Sequence, residues 1–154
     1  MTRGPVVKGN PLHISVSLLI ISYILGEFLL PKYQIVYFVK LIGILGLIFS
    51  AGVFITGFKL FKSYEEEPLP TSPTNRLIKT GIFAYTRNPI YFSFILFFLS
   101  MFLVFENVMY FLSSISLGIW LHHWVIKAEE DYLKKQFEDE YERYKGAVKR
   151  WLFF

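Results

Sequence analysis

The sequence predicts an all-α fold: a polytopic membrane protein of about four transmembrane helices, followed by a C-terminal amphipathic helix at the interface. Three observations carry that prediction. Hydrophobic residues fill 54% of the 154 positions and mean hydropathy is +0.45, above the roughly 45 to 50% apolar content of soluble domains. The excess is gathered into blocks of roughly 16 to 26 residues, which at about 1.5 Å per residue approach the about 30 Å of a bilayer core. Charged residues stand mainly between those blocks and in a long tail. Cysteine is absent, which excludes a disulfide framework, a thiolate metal site and a cysteine nucleophile.

The first span covers Leu12 to Leu30. Arg3 and Lys8 precede it as basic residues precede a signal peptide. The run exceeds the about 7 to 15 residues of a signal core and no small-x-small site follows, so a retained helix is expected. Pro31-Lys32 turns the chain. Span 2, from about Ile35 to Phe58, carries Gly43, Gly46, Gly52 and Gly57, which let a neighbouring helix approach closely in a bilayer. Lys40 lies near its start, within snorkelling reach of the interface, and no chemical role is expected of it. From Lys59 to Arg87 apolarity collapses: Glu65-Glu66-Glu67 with Pro68, Pro70 and Pro73 reads as an extramembrane loop with solvated glutamates.

Span 3 runs from Ile90 to Phe105, Glu106-Asn107 makes a tight turn, and span 4 runs from Val108 to Ile126. At about 24 Å, span 3 is short and its hairpin is expected to tilt or to turn below the far interface. Beyond Lys127, Leu133, Phe137, Tyr141, Tyr144, Val148 and Trp151 recur at intervals of three or four among charges. That is an amphipathic helix too polar to span, lying on the interface, closing over a pocket, or both. Four spans put the N-terminus, central loop and tail on one side, with two, five and seven of the sixteen Lys and Arg respectively. The positive-inside rule then predicts a multi-pass protein with both termini cytoplasmic. The net charge of +4 flanks spans and forms no patch of its own, which suits anionic lipid headgroups and not nucleic acid.

Chemistry concentrates at Thr80–Tyr91, answered by Glu129-Glu130 across the predicted hairpin. Asn75, Arg76, Thr80, Tyr85, Arg87, Asn88 and Tyr91 gather beside a helix start suited to an anion. An interfacial anchor with proline in the first helical turn would explain Arg87 and Pro89 alone; a pocket for a small zwitterion would explain the whole cluster. Adjacent carboxylates point to different faces of a helix, so only one of Glu129 and Glu130 is expected in such a pocket. His122-His123 diverge by about 100° without a third ligand nearby, so no metal site is expected. Neither a glycine-rich nucleotide loop nor a Gly-x-Ser-x-Gly elbow occurs.

The run Leu77–Phe83, then Arg87-Asn88-Pro89-Ile90-Tyr91, Glu129-Glu130, Phe137, Glu140-Tyr141, Tyr144 and Val148-Lys149-Arg150-Trp151 resembles the isoprenylcysteine carboxyl methyltransferase and phospholipid methyltransferase superfamily of integral membrane enzymes. The likeness covers Asn75 to Leu152, about half the chain. It implies a single integral membrane methyltransferase domain over residues 1–154, binding S-adenosylmethionine at the cytoplasmic face through residues 75–152. By position, Asn75, Arg76, Leu77 and Ile78 would line the cofactor with Phe83, where the family often has tyrosine. Asn88, Pro89, Ile90 and Tyr91 would form the next wall, and Glu129 would hold the ammonium. Three positions depart from the pattern: Ser93 replaces a common glycine, Lys149 a common proline, and Val125 an arginine that contacts substrate in the eukaryotic prenylcysteine enzymes.

Methyl transfer from a sulfonium is an in-line displacement, so the protein mainly aligns two reactants and excludes water. A carboxylate acceptor is already ionised at neutral pH and needs a cation to orient it, with Arg87 or Arg150 the candidates. An amine acceptor must lose a proton, which makes Glu130 the candidate base. The expected activity is carboxyl methylation of a lipophilic or lipidated substrate, beside the alternatives of a phospholipid amine methyltransferase and a non-catalytic membrane adaptor or lipid-binding protein.

Overall fold

Asn10 starts the first helix: its side-chain oxygen accepts the Leu12 amide at 2.9 Å and Pro11 takes the first helical position, where its missing N–H costs nothing. The computed structural model describes residues 4–32, 34 and 36–152, so the expectations at Arg3 and Ile35 fall outside it. The described residues are all-helical. Helix α1 (Pro11–Phe28) leads to α2 (Tyr37–Ser63), a 3-10 turn at Gly81–Ala84, α3 (Pro89–Phe105) and α4 (Val108–Trp120). A π-helical turn, Leu121–Ile126, joins α4 to α5 (Lys127–Ala147) without a break.

Two of these helices, α1 with 18 residues and α2 with 27, are long and apolar enough to cross a membrane; α3 is a shorter apolar helix of 17 residues. Helix α2 outruns its expected end at Phe58 by five residues. Lys59, Leu60, Phe61 and Lys62 are adequate helix formers, and apolarity, which ended the predicted span, does not end a helix. It stops where Glu65 takes a left-handed φ of 57°. The amides of Glu65 and Glu66 then close back onto the carbonyls of Lys62 and Phe61, the hydrogen-bond pair of a Schellman cap.

The main packing contacts join α2 to α3, α3 to α4, and α4 to α1. Small residues and serines make these contacts close. Ser22 meets Ser113 at 2.7 Å, Ser50 donates to the Ser93 carbonyl and Ser114 to the Ile95 carbonyl, interhelical bonds each worth about 0.6 kcal/mol in a bilayer. Of the four glycines expected to admit a neighbour, Gly43, Gly46 and Gly57 lie against α3, while Gly52 faces open space. Asn107 is buried, caps α4 through Met109 N–H and donates to the Ser22 carbonyl. Lys40 pairs with Glu106 at 3.0 Å, an ion pair bracing the α3–α4 turn where only snorkelling was expected.

The core gathers Tyr91, Phe98, Tyr110, Leu117, Leu121, Val125, Ile126 and Trp151. Large apolar side chains along the outer faces of α1 and α2, among them Ile20, Ile24, Leu45, Ile48 and Phe49, stay exposed. Such continuous apolar surface marks an interaction with membrane or protein.

Candidate active site

The site forms where the central loop, the start of α3 and the start of α5 converge. Gly81 has a φ of +58°, and a Cβ there would come within 2.8 Å of Leu60 on α2. Glycine alone fits without strain, and it packs the 3-10 turn against the end of α2. Phe83 is buried, and its carbonyl accepts the Tyr144 hydroxyl at 2.7 Å. The loop ahead of this turn is pinned by Glu66, whose two oxygens accept the Asn75 amide at 3.1 and 3.0 Å, and by the Tyr132 hydroxyl, which accepts the Thr74 amide. Glu66 is thus buried and structural, not solvated as its glutamate run suggested, because both its oxygens accept the loop amide of Asn75.

The chain end is woven into the same place. The Arg150 carbonyl accepts both Thr86 Oγ1 and Asn88 Nδ2 at 3.0 Å, and the Arg87 amide donates to the Lys149 carbonyl. Asn88 is therefore turned away from its helix. It stands at the N-cap of α3 but makes no side-chain cap bond, so the first amides of α3 keep their affinity for an anion.

These elements line an open cavity of about 130 Å³, smaller than the roughly 300 to 1,000 Å³ of typical small-molecule sites. Its walls include Arg76, Leu77, Ile78, Phe83, Arg87, Asn88, Pro89, Ile90, Tyr91, Glu129 and Glu130, together with Tyr132, Leu133, Tyr141 and Tyr144 from α5. Of the predicted site residues, Asn75 and Arg150 stand outside this lining. Asn75 is spent on the Glu66 contact through its backbone. Arg150 turns to Glu130, donating through Nε at 2.9 Å and through Nη2, with Nη1 3.0 Å from His122 Nε2.

Both carboxylates reach the cavity, contrary to the expectation of one. Their side chains do diverge, Glu129 accepting the Tyr91 hydroxyl at 2.6 Å and Glu130 meeting Arg87 Nη2 at 3.0 Å. The wall, however, is wide enough to include both partners. The two then differ in charge environment. Glu130 is clamped between two guanidinium groups. Glu129 keeps some surface where it borders the cavity, yet protein atoms crowd its carboxyl group, and that desolvation pushes its pKa from 4.5 up to about 8. The Tyr91 hydrogen bond opposes the rise and the Glu130 charge adds to it. The Glu130 contact in turn holds the Arg150 pKa above its ordinary value.

Arg87 supplies the opposite charge. Its side chain is 9% exposed, and among the described residues Nε and Nη1 have no hydrogen-bond partner. Two orphaned guanidinium N–H groups cost free energy unless an acceptor arrives. The cavity wall thus carries in Arg87 a cation that shares the single charge of Glu130 with Arg150 and, in Glu129, a carboxyl group without a cation. That pairing fits the carboxylate and ammonium of an amino-acid zwitterion such as S-adenosylmethionine carries. Burial keeps Tyr141 and Tyr144 neutral by raising both pKa values. Among the described residues no three His, Asp or Glu gather as metal ligands. The contacts of Glu66 and of His122 were missed by sequence reasoning; the buried acid carried no local signal, and the histidine's partner lies 28 residues away.

Fold and site together define an all-helical protein with a two-signed polar cavity set against apolar helices. A family model described as phospholipid methyltransferase matches residues 39–140, from the start of α2 to the middle of α5. The chain therefore belongs to the phospholipid methyltransferase family, within the integral membrane methyltransferase superfamily that also holds the isoprenylcysteine carboxyl methyltransferases. Methyltransferases of this family typically use S-adenosylmethionine. Neither the curated proteins nor the solved structures contain a match to the chain.

Proposed function

We propose that this chain is an S-adenosylmethionine-dependent methyltransferase acting on a lipophilic acceptor at the cytoplasmic membrane face, most closely of the isoprenylcysteine carboxyl type. The supporting observation is the charge inventory of the cavity: Glu130 already holds two arginines, leaving Glu129 for the cofactor's ammonium and the free edge of Arg87 for an oxyanion. Bound, the cofactor supplies the electrophilic methyl group. Arg76, Leu77, Ile78, Phe83 and the Asn88–Tyr91 turn line its place, and Asn75 supports them from the loop. With Glu129 paired to the ammonium, Glu130 clamped, and Tyr141 and Tyr144 held neutral, none of these groups serves as a base. Such a site suits a nucleophile that is ionised without help, a carboxylate. Arg87 orients reactants, while Glu130 and Arg150 hold Arg87.

The same reading takes the whole chain as one domain with four spans. Helix α4 and the π turn together supply Val108–Ile126, about 28 Å of helix. Both termini are cytoplasmic, and the partners are membrane lipids and a lipophilic or lipidated acceptor. A second reading, methylation of a phospholipid amine, is favoured by the name of the matching family and by a Glu129 poised near pH 8, suited to taking a proton. Single-turnover transfer from radiolabelled S-adenosylmethionine to a prenylated cysteine analogue, and to phosphatidylethanolamine vesicles, separates the two. With the cofactor saturating at every pH and chemistry limiting, ester formation at a rate flat from about pH 6 to 8 is expected; transfer only to the amine, rising with pH, would replace the first reading by the second. No transfer and no cofactor binding would sink both.

A further inference from the structure

The histidine pair His122-His123 has no part in the proposed reaction, yet His122 sits in a stretch where the helix changes pitch. The π turn at Leu121–Ile126 contains His122 and most of it lies on the way to Glu130. In an unbroken α-helix these residues, eight apart, would diverge by about 80° around the axis. A π turn absorbs one extra residue, and the divergence falls to about 20°. The irregularity thus places His122 and Glu130 on one face, where a single guanidinium reaches both.

That guanidinium is Arg150: Nε and Nη2 hold the two oxygens of Glu130 and Nη1 lies 3.0 Å from His122 Nε2. Arginine only donates, so His122 offers Nε2 as an acceptor and fixes the third side of the fork. With Arg150 held at both ends, Glu130 is fixed in turn, and its Oε1 is 3.0 Å from Arg87 Nη2. Arg87 is gripped by that one corner, leaving Nε and Nη1 without partners among the described residues.

We propose that His122 is a positioning residue, acting through Arg150 and Glu130 to hold Arg87 with its Nε and Nη1 edge free for the oxyanion of a bound ligand. The inference rests on the reading of the cavity as a ligand site given above. A carboxylate or phosphate matches that planar edge with two parallel hydrogen bonds. It comes from one of two sources, the cofactor's own α-carboxylate or the acceptor's headgroup. Without His122, Arg150 has a rotamer to spare, Glu130 follows it, and Arg87 loses the contact that keeps its edge open.

The test uses the full chain in detergent and two readouts. One is the preference for S-adenosylmethionine over its decarboxylated form in binding; the other is the KM for a prenylated cysteine analogue. Arg87→Gln identifies which readout reports the oxyanion: the first for the cofactor's carboxylate, the second for the acceptor's. In that readout His122→Leu is expected to cost about threefold to tenfold, as for coupled neighbours. His122→Gln, which restores an acceptor, should stay within about twofold of the parent. Added to Arg87→Gln, His122→Leu should cost nothing further. Arg150→Lys keeps the charge but cannot span Glu130 and His122 together; it breaks the same chain of contacts if His122→Leu does not fold, and the same losses are expected. An effect of His122→Leu that persists in the Arg87→Gln background, or none in the parent, overturns the positioning role while leaving the ligand site intact. If Arg87→Gln alters neither readout, the reading of Arg87 as an oxyanion fork fails, and this inference with it.

Discussion

Cofactor affinity is expected to depend on pH through Glu129, and the size of the effect follows from its surroundings. Desolvation holds this carboxyl group's pKa at about 8 in the ligand-free protein. Below that pH it is mostly neutral and offers an arriving ammonium no charge. Binding must therefore expel a proton, and each pH unit below about 8 weakens the apparent affinity up to tenfold. The ligand titrates as well, since an α-amino group loses its charge at about 7.7 to 8.0. Combining the two, affinity should rise about 20-fold from pH 6 to 8, pass through a maximum just below pH 8 and fall about threefold to fourfold by pH 9. At pH 7 roughly 0.8 proton should leave on binding.

Calorimetric titration with S-adenosylmethionine in two buffers of different ionisation enthalpy reads both quantities. Glu129→Gln should flatten the acidic limb, and Glu129→Ala should cost about 2 to 5 kcal/mol near pH 8, as for removing one partner of a buried charge pair. Glu130→Ala should weaken the cofactor less, since Glu130 acts on Arg87 and does not meet the ammonium. A dissociation constant steady within about twofold from pH 6 to 7.5, with no proton released, would refute the pairing of Glu129 with the ammonium.

Further outcomes follow from the same geometry. Because the fold raises the Glu129 pKa, the folded state binds a proton that the unfolded state releases between about pH 4.5 and 8, so this group makes stability fall as pH rises through that window. Thermal unfolding of ligand-free protein should show Glu129→Gln gaining on the parent between pH 6 and 9; a gap that does not widen would contradict the burial. A Cβ on Gly26 would come within 1.7 Å of Asn107 Nδ2, so Gly26→Ala should destabilise by about 1 to 3 kcal/mol, and Asn107→Ala in the same chain should recover part of the loss. Cysteines placed at Thr74 and Lys145 of this cysteine-free chain should resist an impermeant thiol reagent in intact cells, and labelling of either from outside would overturn the cytoplasmic placement of the site.

Helix positions were legible because hydrophobic blocks and proline punctuation act locally. The predicted span from Ile90 to Phe105 differs from α3 by one residue, since Pro89 and Glu106 mark its ends in the sequence itself. Apolarity stops at Phe58 while α2 continues to Ser63, because a hydropathy boundary is not a helix boundary. The π turn at Leu121–Ile126 left no trace in sequence, for a change of pitch alters no composition. The site divides in the same way. Residues joined by short spacing, Arg87 with Asn88 and Pro89, were found as a unit. Contacts closed over long separations, Glu130 with Arg150 and Asn88 with the Arg150 carbonyl, depend on how the tail returns, and no periodicity encodes that.

The roles of the two glutamates illustrate what the return of the tail changes. From sequence, Glu129 was the ammonium's partner and Glu130 the base that an amine acceptor would need. The tail carries Arg150 onto Glu130, and both oxygens of that carboxylate are then engaged by arginine N–H groups. Three of its roughly four acceptor sites are thus taken, and the carboxylate serves as the shared counter-charge of two arginines. Glu129 is the carboxyl group whose pKa lies near working pH, and an amine mechanism would have to use it. Both acceptor readings therefore compete for one residue. If Glu129 neutralises the cofactor's ammonium, it has no charge left with which to take a proton from the substrate. If it takes that proton, the ammonium needs another partner, and of the other carboxylates lining the cavity Glu130 is held by two arginines and Glu67 accepts the Ser72 hydroxyl. The pH profile of cofactor binding thus bears on the acceptor as well: a proton expelled when S-adenosylmethionine binds alone commits Glu129 to the cofactor, and a carboxylate acceptor, which needs no base, is what the site can then serve.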